Sequence, residues 1–250
     1  MAIFNEIYDY LESVFPKTDS ASWDCDGLDL CVDRKAEIKK IVLSLDVTSE
    51  IIKYAENEGA NLIISHHPFL FDKINVIDAA DTTGKKIISL IKKGISAISY
   101  HTRLDMHEGG VNDSITNALG LKREYKIFDD MINICTSEDS SFDSLIQKSK
   151  EVFSDGIKAY KNNDSVKKVA ICGGGGKGVL HLLRKENVDT YITGELAHHE
   201  LIDGEESGIS LIIGTHYGTE ALVLPFLKKV IEERFPEIPV LIKYTPQFSI

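Results

Sequence analysis

The sequence predicts an α/β protein made of two comparable α/β units with mostly parallel sheets. Apolar runs of strand length alternate with amphipathic stretches of helical period along most of the 250 residues. The rhythm blurs once, between residues 121 and 165, and resumes at Lys167. Three motifs rich in His and carboxylates, SHHP (65–68), HTRLD (101–105) and THYGTE (215–220), each follow a predicted strand. In open α/β sheets the carboxyl ends of strands gather along the edge where ligands bind. The expected domains are 1–125 and 126–250, with the C-terminal segment free to pack back on the first.

Residues 3 to 14 place Ile3, Phe4, Ile7, Tyr8, Leu11 and Val14 on one helical face, and the helix should stop before Pro16. After the acidic loop SWDCDGLDL (22–30) come a strand Ile41 to Val47, a helix Ser49 to Glu58 and a strand Asn61 to Ser65. Ser49 is a candidate N-cap and Gly59 a candidate left-handed C-terminal residue. A helix Gly84 to Lys93 ends at Gly94, and ISAIS (95–99) leads into HTRLD. Gly109 and Gly110 supply positive φ before a helix Ser114 to Leu119, capped by Asn112 or Asp113. A strand at IFDDMINIC (127–135) and a helix at SFDSLIQKSKEVF (141–153) fill the blurred tract. Then follow strand KKVAIC (167–172), loop GGGGKG (173–178), helix Val179 to Glu186, strand DTYIT (189–193) and helix Leu196 to Glu206. Strand ISLII (209–213), a helix from THYGTE to Glu233, and a last strand in PVLIKY (239–244) complete the chain.

Apolar residues at 43% and charged residues at 27% are an ordinary globular mixture. A net charge of −11 works against nucleic-acid partners, which need clustered Lys and Arg. The four cysteines form no CxxC pair and are too few for a disulfide scaffold, so they read as reduced thiols. The first residues lack the features of a secretory signal, and no stretch reaches the ~18 apolar residues of a membrane helix. A cytoplasmic location is the expectation.

In SHHP, the turn before Pro68 lets the neighbouring imidazoles of His66 and His67 serve metal ions; alone, such a pair is more often two hydrogen-bonded loop histidines. His101 and Asp105 add an imidazole and a hard oxygen donor, although Asp105 could simply cap a turn. His216 and Glu220, four apart at a helix start, share one face and can chelate one ion or let Glu220 bridge two. Three such placements at equivalent strand ends argue jointly for metal. TGELAHHE (193–200) brings Glu195, His198 and His199 to a similar edge, for proton transfer, ligand orientation or mere solvation. The glycine run matches GxGxxG through Gly173, Gly175 and Gly178, with Asp189 as a ribose ligand, but four consecutive glycines satisfy many patterns. Backbone N–H groups holding an anion and plain tight packing are comparable readings. Trp23, beside Asp24 and Asp26, reads as a buried anchor of an Asx-type loop.

SHHPF, HTRLD with GGVND, CGGGG, TGELAHH and THYGTE, in this order, resemble the NGG-one-interacting-factor-three-like family, also labelled GTP cyclohydrolase type 2 homologues. The likeness spans essentially the whole chain, in the short form without an inserted domain. It implies two related α/β domains with a dinuclear metal centre in the cleft between them, and homohexamers arranged as trimers of dimers. By motif, His66 and His67 would bind separate ions, Asp105 and His216 would each add a ligand, and Glu220 would bridge. His101, Glu195 and His199 are the implied catalytic or supporting residues. The chain departs from the family at Cys25, where Asn is common, and at Arg103, where Asn or Thr is usual. Arg103 either favours anionic substrates or forms a salt bridge with a neighbour.

The expected function is dinuclear metal-dependent hydrolysis of a nucleotide-like or phosphorylated small molecule, using Zn, Mn, Fe, Mg or Ni. The rival is a non-enzymatic metal-binding adaptor or delivery protein, and a dinucleotide-dependent enzyme is a third reading.

Overall fold

The computed structural model describes residues 2–138, 141–153 and 156–246. In the first stretch α1 (Phe4–Val14), β1 (Gly27–Leu30), β2 (Ile41–Ser44), α2 (Ser49–Glu58), β3 (Leu62–Ser65) and α3 (Thr82–Lys93) are followed by β4 (Ser96–Ser99) and α4 (Thr102–Met106). Next come α5 (Val111–Ala118), β5 (Lys122–Ile127), β6 (Ile132–Thr136), α6 (Phe142–Val152), β7 (Lys158–Tyr160) and β8 (Lys168–Gly175). The remainder is α7 (Leu180–Lys185), β9 (Thr190–Glu195), α8 (His198–Glu206), β10 (Ser210–Ile213), α9 (His216–Glu220), α10 (Leu224–Arg234) and β11 (Val240–Ile242). The described residues divide into two compact units, one of 2–107 with 224–245, the other of residues within 108–223 with Pro246.

In the first unit the strand order is β1-β4-β3-β2-β11, with only β1 antiparallel to its neighbour. Every residue of β2, β3 and β4 is buried, as expected of strands covered on both faces. On one face, Ile51, Ile52 and Ala55 of α2 and Leu90 of α3 pack against Val42, Ile63 and Ala97. The C-terminal segment does pack back here: β11 pairs in parallel with β2, Val240 opposite Ile41. Helix α2 is capped one residue earlier than expected, by Thr48, whose side chain accepts from the Ile51 amide at 3.2 Å. Gly59 and Gly94 end their helices at φ 71° and 66°, a left-handed conformation that glycine adopts freely.

Asp29 on β1 titrates unusually. Burial pushes its carboxyl up to about 7. As pH rises from about 4 to 7 the unfolded chain releases this proton while the folded chain keeps it, so stability falls across that window and levels above it. Asp29→Asn should remove the fall. Urea denaturation should find the variant similar to the parent near pH 4 and more stable by roughly 2–4 kcal/mol at pH 8; equal pH slopes would contradict this.

The second unit has the order β5-β6-β8-β9-β10-β7. Only the β8-β9 and β9-β10 pairs are parallel; β5-β6, β6-β8 and β7-β10 are antiparallel, so this sheet is mixed rather than mostly parallel. The expected strand at 127–135 is in fact a turn and the start of β6. Phe128, Asp129 and Asp130 take φ of 56°, 51° and 64° and fold 122–136 into a hairpin, which needs antiparallel neighbours. The division at residue 107, rather than 125, follows from α5. It begins at Val111, not Ser114, so Asn112 and Asp113 lie inside it instead of capping it. Asn112 accepts from the Gly173 amide at 2.8 Å and donates to Met131 O at 3.0 Å, while Asp113 pairs with Arg123 at 2.7 Å. Those bonds tie α5 to β8 and the hairpin. Gly109 has positive φ (81°) as expected; Gly110 does not (−69°).

Candidate metal-binding sites

In the first unit, parallel register builds the donor set. Ser65 of β3 lies opposite Ser99 of β4, and Ser44 of β2 opposite Ser65, so the residues just beyond three strands emerge side by side. The hydroxyls of Ser44 and Ser65 each donate at 2.8 Å to the carbonyl two residues on, turning both strand ends alike. His66 and His67 follow β3, and His101 follows β4. One donor atom from each lies within 4.8 Å of the others, and the ring centroids are 4.8 to 5.5 Å apart.

Each ring is oriented through Nδ1. His66 Nδ1 lies 2.9 Å from Tyr100 O, which can only accept, so this nitrogen carries the proton and Nε2 presents a lone pair. His67 Nδ1 meets Asp46 Oδ1 at 3.0 Å, and His101 Nδ1 meets Asp24 Oδ1 at 3.1 Å. Burial raises the Asp24 carboxyl, but hydrogen bonds from His101 and Thr102 outweigh it and hold it well below the usual carboxylate range. An ionised Asp24 makes His101 Nδ1 the donor. A carbonyl or carboxylate against one imidazole nitrogen is the partner that metal-ligating histidines commonly have. Asp105, on the short helix α4, sets Oδ1 3.5 Å from His66 Nε2. Imidazole and carboxylate donors together suit Zn, Mn, Fe or Ni.

Arg103, one residue on from Thr102, is 1% exposed and turns away from these donors into the protein. Its Nε donates to Asp26 at 3.0 Å and its Nη1 to Phe15 O at 2.6 Å and Glu12 at 3.2 Å. Of the two expectations for Arg103, the salt bridge is the one realised. Asp26 also accepts from the His101 amide at 2.8 Å, so this buried pair fixes where the histidine backbone runs. Trp23 is not a buried anchor: it is 60% exposed, its ring 6.0 Å from His101 and 6.3 Å from Phe71.

In the second unit, β10 runs through Gly214 to Thr215, which holds φ at 60°, a costly value for a β-branched residue. Its side chain caps α9 by accepting from the Gly218 amide at 2.9 Å. The five-residue helix carries His216 and Glu220 on one face, Nε2 3.1 Å from Oε1, with Glu220 buried. Glu195, at the end of β9, reaches within 3.5 Å of His216 Nδ1 and so holds the ring from its other side. His198 and His199 are exposed on the first turn of α8, and among the described residues no close donor group includes them.

The glycine run is not an open phosphate loop. Gly173 to Gly175 belong to β8, and a Cβ on Gly173, Gly174 or Gly176 would collide with Val111, Glu220 or Tyr191. Asp189 is engaged too, accepting from the Lys167 and Lys168 amides at 2.9 Å. Both findings remove the dinucleotide fingerprint. Sequence reasoning missed Asp46, Asp24 as a ring-orienting carboxylate, and Gly174. Asp46 carried the same signal as the others, an acidic residue just past a buried strand.

With this geometry in hand, the sequence matches the DUF34/NIF3 (NGG1p interacting factor 3) family over residues 2–246. A Clostridium perfringens protein called "GTP cyclohydrolase 1 type 2 homolog" is 32% identical, covering 92% of this chain and 91% of its own length. "NGG1-interacting factor 3" of Saccharomyces cerevisiae is 30% identical over 88% of the chain and 86% of its own length. Among solved structures, reduced HcgD from Methanocaldococcus jannaschii superposes with a TM-score of 0.87 at 27% identity, covering 96% of this chain and 97% of its own. The protein ybgI shares the fold alone, with a TM-score of 0.91 at 19% identity over 99% of the chain and all of its own. The chain belongs to the DUF34/NIF3 family.

Proposed function

We propose that the chain is a metal-dependent hydrolase of a nucleotide-like or phosphorylated small molecule, with two divalent ions held by His66, His67, Asp105, His216 and Glu220, the last shared between them. The observation that carries this is the cluster of His66, His67 and His101, with one donor atom of each within 4.8 Å of the others and the Nδ1 atoms against Tyr100 O, Asp46 and Asp24. The name of the Clostridium perfringens relative supports a cyclohydrolase-type reaction. Bound divalent ions acidify water and polarise the bond under attack. In this reading His101, steadied by Asp24, accepts or returns a proton at Nε2. Glu195 orients His216, and His199 stays a further candidate for proton transfer. The hexamer of three dimers belongs to the same proposal and is read by light scattering.

The yeast relative is named for an interaction, which favours an adaptor or metal-delivery protein as the second reading. One experiment separates the two. Chelator-stripped protein is reloaded with Zn, Mn, Fe, Mg or Ni and assayed against nucleotides and phosphoesters, while emission of Trp23, the single tryptophan, follows metal binding beside His101. Turnover that vanishes on chelation, and falls in Glu220→Gln, is expected. Ni should quench Trp23 in the parent and not in His66→Ala/His67→Ala. Full metal loading without turnover of any substrate would leave the adaptor reading.

A further inference from the structure

The second unit contains a cavity of about 540 Å³, within the range of small-molecule sites. Its walls combine apolar Leu196, Leu201 and Ile213 with two exposed lysines, Lys158 on β7 and Lys177 after the glycine run. Tyr160, two residues from Lys158, adds an aromatic ring. Glu195 and Thr215 also line it; the first touches His216 and the second caps the helix that carries Glu220. One buried carboxylate holds the two loops of this wall together: Glu200 accepts from the Gly178 amide at 2.5 Å and from the Ala197 amide at 2.9 Å. Lys177 and the 195–197 segment are thereby fixed against each other.

We infer that this cavity binds a phosphate monoester with a planar or apolar body, the body lying on the Leu196, Leu201 and Ile213 surface beside Tyr160 and the phosphate taken by Lys158 and Lys177. Two lysines against one wall carboxylate, Glu195, give the lining a positive balance in a chain of net charge −11, which favours an oxyanion locally against the field of the whole protein. The apolar wall gives the rest of the molecule area to bury, and Glu195 marks the end nearest the His216–Glu220 pair. That the ligand is a substrate rests on the hydrolase reading; that the cavity binds it does not.

Calorimetry on chelator-treated protein tests this with guanosine 5′-monophosphate, ribose 5-phosphate and guanosine as probes. The nucleotide should bind saturably, and Lys158→Gln/Lys177→Gln should weaken it on the order of tenfold or more, since bonds to charged groups are the strong ones, while guanosine binding is unchanged. Tyr160→Ala should weaken the nucleotide more than ribose 5-phosphate. No saturable binding of either phosphorylated probe, or equal affinity in the double lysine variant, overturns the assignment. Binding without turnover in the metal-loaded protein removes the hydrolase reading and leaves the cavity standing.

Discussion

Arg103→Met should destabilise the first unit by about 3–5 kcal/mol, the usual result of removing one partner from a buried ion pair. The Asp26 side chain is fully buried, and among the described residues Lys17 Nζ at 2.6 Å would remain as its only cation. Glu12 and the Phe15 carbonyl would lose their donors in the same step. Lysine should not rescue, because three acceptors in different directions need the guanidinium fork. Urea unfolding followed by Trp23 emission reports on this unit, and Arg103→Met/Asp26→Asn should recover part of the loss, since the two sites are coupled. Metal affinity should fall as well, because Asp26 also accepts from the His101 amide. A loss below 1 kcal/mol would mean that Lys17 alone compensates Asp26.

This pair also marks how far the sequence could be read. Apolar runs at 41–45, 61–65 and 95–99 announced buried parallel strands, and the helices between them were bounded by glycines at 59 and 94. His66, His67, His101, His216 and Glu220 were legible because each follows such a run. What stayed hidden depends on contacts across long stretches of chain. Asp24 lies 77 residues from the His101 it orients, and Arg103 lies 77 residues from Asp26, separations that no periodicity encodes. The hairpin at 122–136 escaped because its turn uses Phe128, Asp129 and Asp130 at positive φ in place of the usual Asn-Gly. The α5 boundary was misplaced because Asn112 and Asp113, good capping residues, are spent on Gly173, Met131 and Arg123 instead.

Gly174→Ala should cripple the second donor set, while Gly175→Ala, its immediate neighbour, should be nearly silent. Gly174 sits at φ 61°, where a side chain costs about 1–2 kcal/mol. Its absent Cβ leaves the space that Glu220 Oε1 occupies, and His216 Nε2 would lie 3.2 Å from that carbon. The carboxylate cannot simply step back, because the Gly174 amide bonds at 3.0 Å to Thr219, the residue before Glu220, and locks α9 against β8. Alanine must therefore displace the two donors themselves. Losing an orienting partner of a ligand already costs ~10–100-fold in affinity, so displacing the ligands should cost at least ~100-fold. At Gly175 an added Cβ meets nothing within 4 Å, and φ is not positive. Metal titrations of the two variants, with circular dichroism to confirm folding, decide the matter. Equal affinities would show that the glycine run serves only to pack β8, whereas a loss confined to Gly174→Ala makes the missing side chain part of the metal site.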